Sequence, residues 1–402
     1  MIPLEKIKKA ARLIGEMIVR TPLVHSPALS RMFGGDIFLK LENLQKTGSF
    51  KIRGAANRIL SGIDKLGPSG VVTASAGNHA QGVALAAKKA GVPATIVMPE
   101  WASITKQEAT RAYGGEIIIS GRSLMESIEK ARELALEGRT FIHPFDDLRV
   151  IAGQGTVAIE IFGDLSDADM IIVPVGGGGL ISGIASASKA IRTETKIIGI
   201  QSIACPSAYE SLRKGQAVMV DSSLSIADGI NVRKPGKFNF RIMQECVDDI
   251  GLVKEEDIAA AVLMLLERNK ILAEGAGAVP LAALMSGAVR IKKGSKTVLV
   301  ISGGNLDSPL LGRIVSRGLS NSGRIMRFVV RLDDVPGALS GLLALVASLK
   351  ANVLHIMHHR GARNVPIYTT LVELEIETRG PGHVEEITGR LKDAGYDIEF
   401  DL

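Results

Sequence analysis

The chain has 402 residues, 46% hydrophobic and 22% charged, which is enough apolar material for two or three domains and too much for a disordered chain. Lys and Arg number 48 against 42 Asp and Glu, a net charge of +6 with only 4% aromatics; scattered basic residues without aromatic platforms argue against nucleic-acid binding. No apolar run approaches the ~20 residues of a membrane span, and two cysteines without CxxC spacing, Cys205 and Cys246, fit a reducing cytoplasm.

The opening MIPLEKIKKAARLIGEM alternates charged and apolar residues at helical spacing, unlike a signal peptide. DIFLKL (36–41) reads as a strand and SFKIRGAANRIL (49–60) as a helix; GVVTAS (70–75) is a strand and NHAQGVALAAKKAG (78–91) a helix. PATIVMP (93–99), EIIIS (116–120) and TFIHPF (140–145) read as strands, with the helix SLMESIEKARELALEG (123–138) among them. DMIIVPV (169–175) is a buried strand feeding the helical GGGGLISGIASASKAI (176–191), and KIIGI (196–200) and KTVLVISGG (296–304) complete the set. Continuous apolar strands separated by helices predict an α/β fold with parallel sheet covered on both faces, whose active groups gather at the carboxyl ends of strands.

GLSNSGR (318–324) is small and polar and reads as a linker. Beyond it, strand, helix, two strands, helix and strand follow over 325–402, the β-α-β-β-α-β order of a ferredoxin-like module.

Several strand ends carry chemistry. Lys51 stands between Phe50 and Ile52 where a helix begins; it is either an ordinary first-turn lysine or a free amine able to form an imine with an aldehyde. Gly176, Gly177, Gly178 and Gly179 follow a buried strand directly. Four glycines in a row lose more backbone entropy than a simple turn requires, and backbone N–H groups at a helix start hold anions. The run completes neither GxGxxG nor a P-loop, which leaves a smaller phosphate. A phosphate cradle and a lysine on one parallel sheet together suggest pyridoxal phosphate. SAGNH (75–79) and SGGN (302–305) add an amide, hydroxyls and free N–H groups at two further strand ends.

The chain resembles the threonine dehydratase (threonine ammonia-lyase) family of fold-type II pyridoxal phosphate enzymes. The matching pieces are TPL (21–23), KLENLQKTGSFKIRGA (40–55), SAGNHAQG (75–82), GGGGL (176–180), EGAGA (274–278) and SGGN (302–305). The resemblance implies a two-subdomain, tryptophan synthase β-like catalytic domain over 1–318, with a smaller subdomain around 40–150. A linker over 319–324 and an ACT regulatory domain over 325–402, with DDVPGAL (333–339) as its first turn, complete the implied organisation. It makes Lys51 the Schiff-base lysine, packs Phe50 against the pyridine ring, and pairs Asn78 with the ring oxygen. Gly176–Gly179 with Leu180 would bind the phosphate and Ser302 would face the ring nitrogen. The turn of Ser75, Ala76, Gly77 and Asn78 would receive the substrate carboxylate. Glu274 is either a supporting residue of the site or an ordinary helix-end carboxylate.

The implied reaction is dehydration and deamination of L-threonine, and of L-serine, with isoleucine or valine as effector at Asp334, Val335, Gly337 and Ala338. A homo-oligomer, dimer or tetramer, is also implied. Two departures from the relatives stand out. Serine racemase has a serine where this chain has Ala76, so racemisation is disfavoured; and Gln201 and Ser207 replace acidic metal ligands, so no metal is expected. His355, His358 and His359 read as interface or surface residues. A serine-preferring dehydratase and a non-catalytic amino-acid sensor are the competing readings, and a sensor has no use for Lys51.

Overall fold

The computed structural model describes residues 1–360 and 366–400. The chain divides into two compact units, Met1–Asp307 and Ser308–Leu402.

The first unit holds two sheets. In the larger, the strands run in the order Leu23–His25, Asp36–Leu41, Lys296–Ile301, Met170–Pro174, Lys196–Ser202, Asp249–Val253. Only Leu23–His25 is antiparallel to its neighbour; the other pairings are parallel. The smaller sheet is fully parallel, in the order Glu116–Ile119, Ala94–Met98, Val71–Ala74, Thr140–Phe141. Val71–Ala74 and Ala94–Met98 are buried throughout, as strands covered on both faces must be.

Helices pack closely behind the larger sheet. Gly183 shows why: a Cβ there would lie 2.5 Å from both Gly155 N and Ile151 O, so the helices Leu148–Asp164 and Gly179–Ile191 touch backbone to backbone. Among the described residues no helix is long and apolar enough to cross a membrane.

Three readings of the first unit change. The helix after Gly48 begins at Lys51, because Ser49 is taken by an antiparallel bridge to Gly303. TFIHPF is a strand only at Thr140–Phe141. Beyond it the His143 ring turns the chain, Nδ1 accepting from Phe145 N (3.2 Å) and Asp146 N (2.8 Å). The strands Leu23–His25 and Asp249–Val253 are additions, too short or too mixed in polarity for the pattern to mark.

The second unit carries a four-stranded antiparallel sheet in the order Asn352–His359, Thr369–Glu377, Ile325–Asp333, Asp397–Phe400. Helices Ala338–Ser348 and Pro381–Asp393 complete the ferredoxin-like order. Ile325–Asp333 alternates buried and exposed residues, so one face of the sheet is core. The expected linker over 319–324 does not stand as such: residues up to Asn321 belong to the helix Ser308–Asn321. Burial of Ile314 and closure of the last turn by Ser322 Oγ on Gly318 O (2.8 Å) outweigh the weak helix propensity of Gly318 and Ser320. The boundary therefore falls after Asp307, ahead of the expected 318. Of the two strands read between the helices of this module, the second, VPIYTTLVELEIE in the sequence, starts only at Thr369; its Val365, and residues 401 and 402 of the last strand, lie outside the described residues.

Candidate active site

Three loops meet at the carboxyl ends of the strands. The lysine loop is stitched to the SGGN loop by Phe50 N donating to Ser302 O (3.1 Å) and Gly304 N to Gly48 O (2.9 Å). Asn305 joins the third loop, its Nδ2 donating to Thr47 O (2.8 Å) and to Asn78 Oδ1 (2.7 Å). The Asn78 Nδ2 donates in turn to both oxygens of Glu274 (2.9 and 3.0 Å). Glu274 N donates to Gly303 O (3.0 Å), which closes the circuit.

Lys51 is placed by what lies beneath its helix. Arg53 is fully buried between Glu42 (2.7 Å) and Glu160 (2.7 Å), while Lys40 Nζ donates to Glu160 (2.6 Å) and Thr21 O (2.6 Å). Thr21 Oγ1 donates to Glu42 (2.5 Å). Two acids thus neutralise two bases inside the protein and tie the start of the lysine helix to the preceding strand and to the helix Leu148–Asp164. Burial works to raise the Glu160 pKa, but the hydrogen bonds and charges of Arg53 and Lys40 outweigh it and hold the carboxyl below its ordinary range.

The Lys51 Nζ donates to Pro144 O (3.4 Å) and lies 5.2 Å from the Phe50 ring centroid. Burial pulls its pKa down to about 8, against the attraction of Glu274. Glu274 is pushed up to about 7, chiefly by burial, with the Asn78 hydrogen bond opposing. His79 drops to about 3, from burial and then the charge of Lys51, and its Nε2 lies 3.2 Å from Ile142 O. It is a neutral strut under the loop that carries Pro144.

Phe50, Lys51, Asn78, Glu274, Ser302 and Gly176–Leu180 line one cavity. The glycine run is needed for shape. Gly178 has φ +93°, a conformation costly for other residues, and a Cβ on Gly177 would collide with the Phe145 ring. The helix Gly179–Ile191 starts there without a side-chain cap, so its first N–H groups are available to an anion. A phosphate fits this cradle: the uncapped helix start lies at the cavity, and a Cβ at Gly176, Gly177, Gly178 or Gly179 would press into Ile230, Phe145 or Asn239 and force the loop out of this shape.

Ser75, Ala76, Gly77 and Asn78 line a wider cavity that shares Lys51 and Glu274 and extends to Trp101 and Tyr113. At its rim Lys106 Nζ stands 3.5 Å from both Asp228 and Asp307. Gln201 and Ser207 are committed elsewhere: Gln201 Oε1 accepts from Ala208 N (2.8 Å) and Ser207 Oγ donates to Val232 O (2.6 Å). Among the described residues no group of three or more His, Cys, Asp or Glu is placed to hold a metal ion. In the second unit, Asp334, Val335, Gly337 and Ala338 line a separate cavity with His358 and Arg360, where Arg360 pairs with Asp334 (3.2 Å).

Sequence reading passed over Pro144, Phe145 and Asp146. They follow a strand end, which was the available signal. It also passed over Asn239, whose contacts span 62 residues to Gly177 and 94 to Phe145 and leave no local pattern.

A lysine and a phosphate cradle at the carboxyl ends of one parallel sheet define a pyridoxal phosphate enzyme of fold type II. The family model for the pyridoxal-phosphate dependent enzymes matches residues 14–303, and the chain belongs to this family; its cofactor is pyridoxal 5'-phosphate and it is a lyase. The L-threonine ammonia-lyase of Thermotoga maritima is 49% identical over 401 residues, 100% of both chains. Among solved structures, maize serine racemase is 36% identical with a TM-score of 0.74, over 79% of this chain and 98% of that one. The processed form of threonine deaminase isoform 2 from Solanum lycopersicum is 34% identical with a TM-score of 0.72, over 78% of this chain and 92% of that one.

Proposed function

We propose that the chain is a threonine ammonia-lyase, converting L-threonine to 2-oxobutanoate and ammonia, and L-serine to pyruvate and ammonia. The observation that carries this reading is the lysine brought to about pKa 8 between the glycine cradle and the Ser75–Asn78 turn. Pyridoxal phosphate, when bound, supplies an aldehyde for an amine and a ring that draws electrons from the substrate Cα. Lys51 holds the cofactor and, once free and neutral, takes the Cα proton. Asn78 would turn its amide from Glu274 to the ring oxygen, and Phe50 would pack beside the ring. Gly176–Leu180 bind the phosphate. Ser302, which lines the cavity, would offer the ring nitrogen a hydroxyl, a group that does not keep a proton there as a carboxylate would and so would suit elimination of a β-hydroxyl. The turn Ser75–Asn78 receives the substrate carboxylate on N–H groups at a helix start.

The second unit is proposed as an ACT-type regulatory domain that takes isoleucine or valine. Gly337, at φ +93°, opens the helix Ala338–Ser348, so backbone can approach an amino-acid carboxylate closely. Threonine dehydration in the cytoplasm by a homo-oligomer, feeding isoleucine synthesis, is the physiological setting this reading implies. Borohydride reduction and peptide mapping test the site: the label should fall on Lys51, and a label on another lysine rejects the assignment. Formation of 2-oxobutanoate from L-threonine tests the reaction, and its absence from cofactor-loaded protein rejects it.

A further inference from the structure

Asn239 lies in the helix Lys237–Cys246, is fully buried, and lines neither cavity. Its Nδ2 donates to Gly177 O (2.9 Å) and to Phe145 O (3.0 Å). Gly236 N gives Gly177 O a second hydrogen bond (3.1 Å). A trans peptide points its C=O and its N–H in opposite directions. With Gly177 O held toward Asn239, the Gly178 N–H is turned the other way, onto the cavity. Left free, that peptide could rotate and present its carbonyl to an anion, since glycines restrict rotation little.

We infer that Asn239 is the positioning residue that turns the glycine loop's N–H groups onto the cofactor phosphate. The same amide holds the Phe145 carbonyl, next to the Pro144 carbonyl that receives Lys51, so one side chain sets the spacing between cradle and lysine. Two carbonyls need donors here, which fixes the amide with Nδ2 toward them. Its Oδ1 has no hydrogen-bond partner within the protein. The helix is seated by Asp146, whose carboxylate accepts from Lys237 N and Phe238 N (both 2.9 Å). The inference depends on the family's cofactor and not on which amino acid is the substrate.

The test uses full-length apoprotein carrying Asn239→Ala or Asn239→Ser. Pyridoxal phosphate and pyridoxal, which lacks the phosphate, are titrated separately by quenching of the single tryptophan, Trp101 in the neighbouring cavity. Asn239→Ala should weaken pyridoxal phosphate binding by roughly 10- to 100-fold, the scale of lost buried hydrogen bonds. Pyridoxal binding should change less than about threefold, and Asn239→Ser, with one donor left, should fall between parent and Ala. Parallel weakening of both ligands, or no weakening, overturns the inference. So does failure of both variants to give a folded apoprotein by circular dichroism, which would make Asn239 a packing residue.

Discussion

The buried charge quartet gives the sharpest test of what holds Lys51 in place. Glu42→Leu removes a carboxylate that is fully buried and accepts two bonds from Arg53 (2.7 Å each) and one from Thr21 (2.5 Å). Three charged groups remain, Lys40, Arg53 and Glu160, with one positive charge uncompensated inside the protein. Breaking a buried pair from one side costs about 3–5 kcal/mol. At ~2 °C per kcal/mol for a unit of this size, the melting temperature should fall by roughly 6–10 °C. Arg53→Met should cost about as much, because it strands Glu42 and weakens the hold on Glu160. The double variant Glu42→Leu/Arg53→Met leaves Lys40 and Glu160 as a neutral pair 2.6 Å apart. It should cost less than the two single changes combined by about 2 kcal/mol or more. Thermal melting of parent, singles and double gives the complete cycle. Single changes that each cost under about 1 kcal/mol, or a double equal to the sum of the singles, would refute the quartet as a coupled unit.

Three further outcomes are expected. Glu274 has a folded pKa raised to about 7 against an ordinary 4.5, so it weighs against the fold as pH rises through that window and not below it. Glu274→Gln apoprotein should match the parent near pH 4 in urea unfolding and exceed it at pH 8 by up to about 3 kcal/mol; a gain confined to low pH would contradict this. Ala76→Ser should raise the D-serine formed from L-serine, read by chiral chromatography, while the parent makes pyruvate almost alone; equal D-serine from both proteins argues against a role for this position. A truncation ending at Asp307 should lose any response to isoleucine or valine that the full chain shows, with effector coupling of ~1–3 kcal/mol; identical responses from both forms exclude the second unit as their sensor.

The parts of the site legible in the sequence are those in which chemistry and chain order coincide. Lys51 with Phe50, the run Gly176–Gly179 and the SAGN and SGGN turns each sit within a few residues of a strand end, so a local pattern marks them. The supporting residues are marked by no such pattern. Glu160 meets Arg53 across 107 residues, and Asp146 caps a helix 91 residues away. Local reading also failed where tertiary contacts override composition. Ser320 and Asn321, polar enough for a linker, end a helix, and His143 and Pro144, apolar enough in context for a strand, form the turn that receives Lys51 Nζ.

The strand order has a consequence for how the protein is made. Leu41 pairs in register with Ile301, 260 residues later, and Ser49 with Gly303. At ~5–20 residues per second of synthesis, the strand Asp36–Leu41 waits roughly 13–50 s for its second neighbour to be translated. Throughout that interval one edge of an apolar strand stands open on the nascent chain, a template for wrong pairing. The loop bearing Lys51 has no SGGN partner until then, so the cofactor pocket is completed only as the last strand of the larger sheet leaves the ribosome. Newly made chains are therefore expected to spend most of their time on the ribosome as clients of holding chaperones, and to load cofactor after, not during, translation of the first unit.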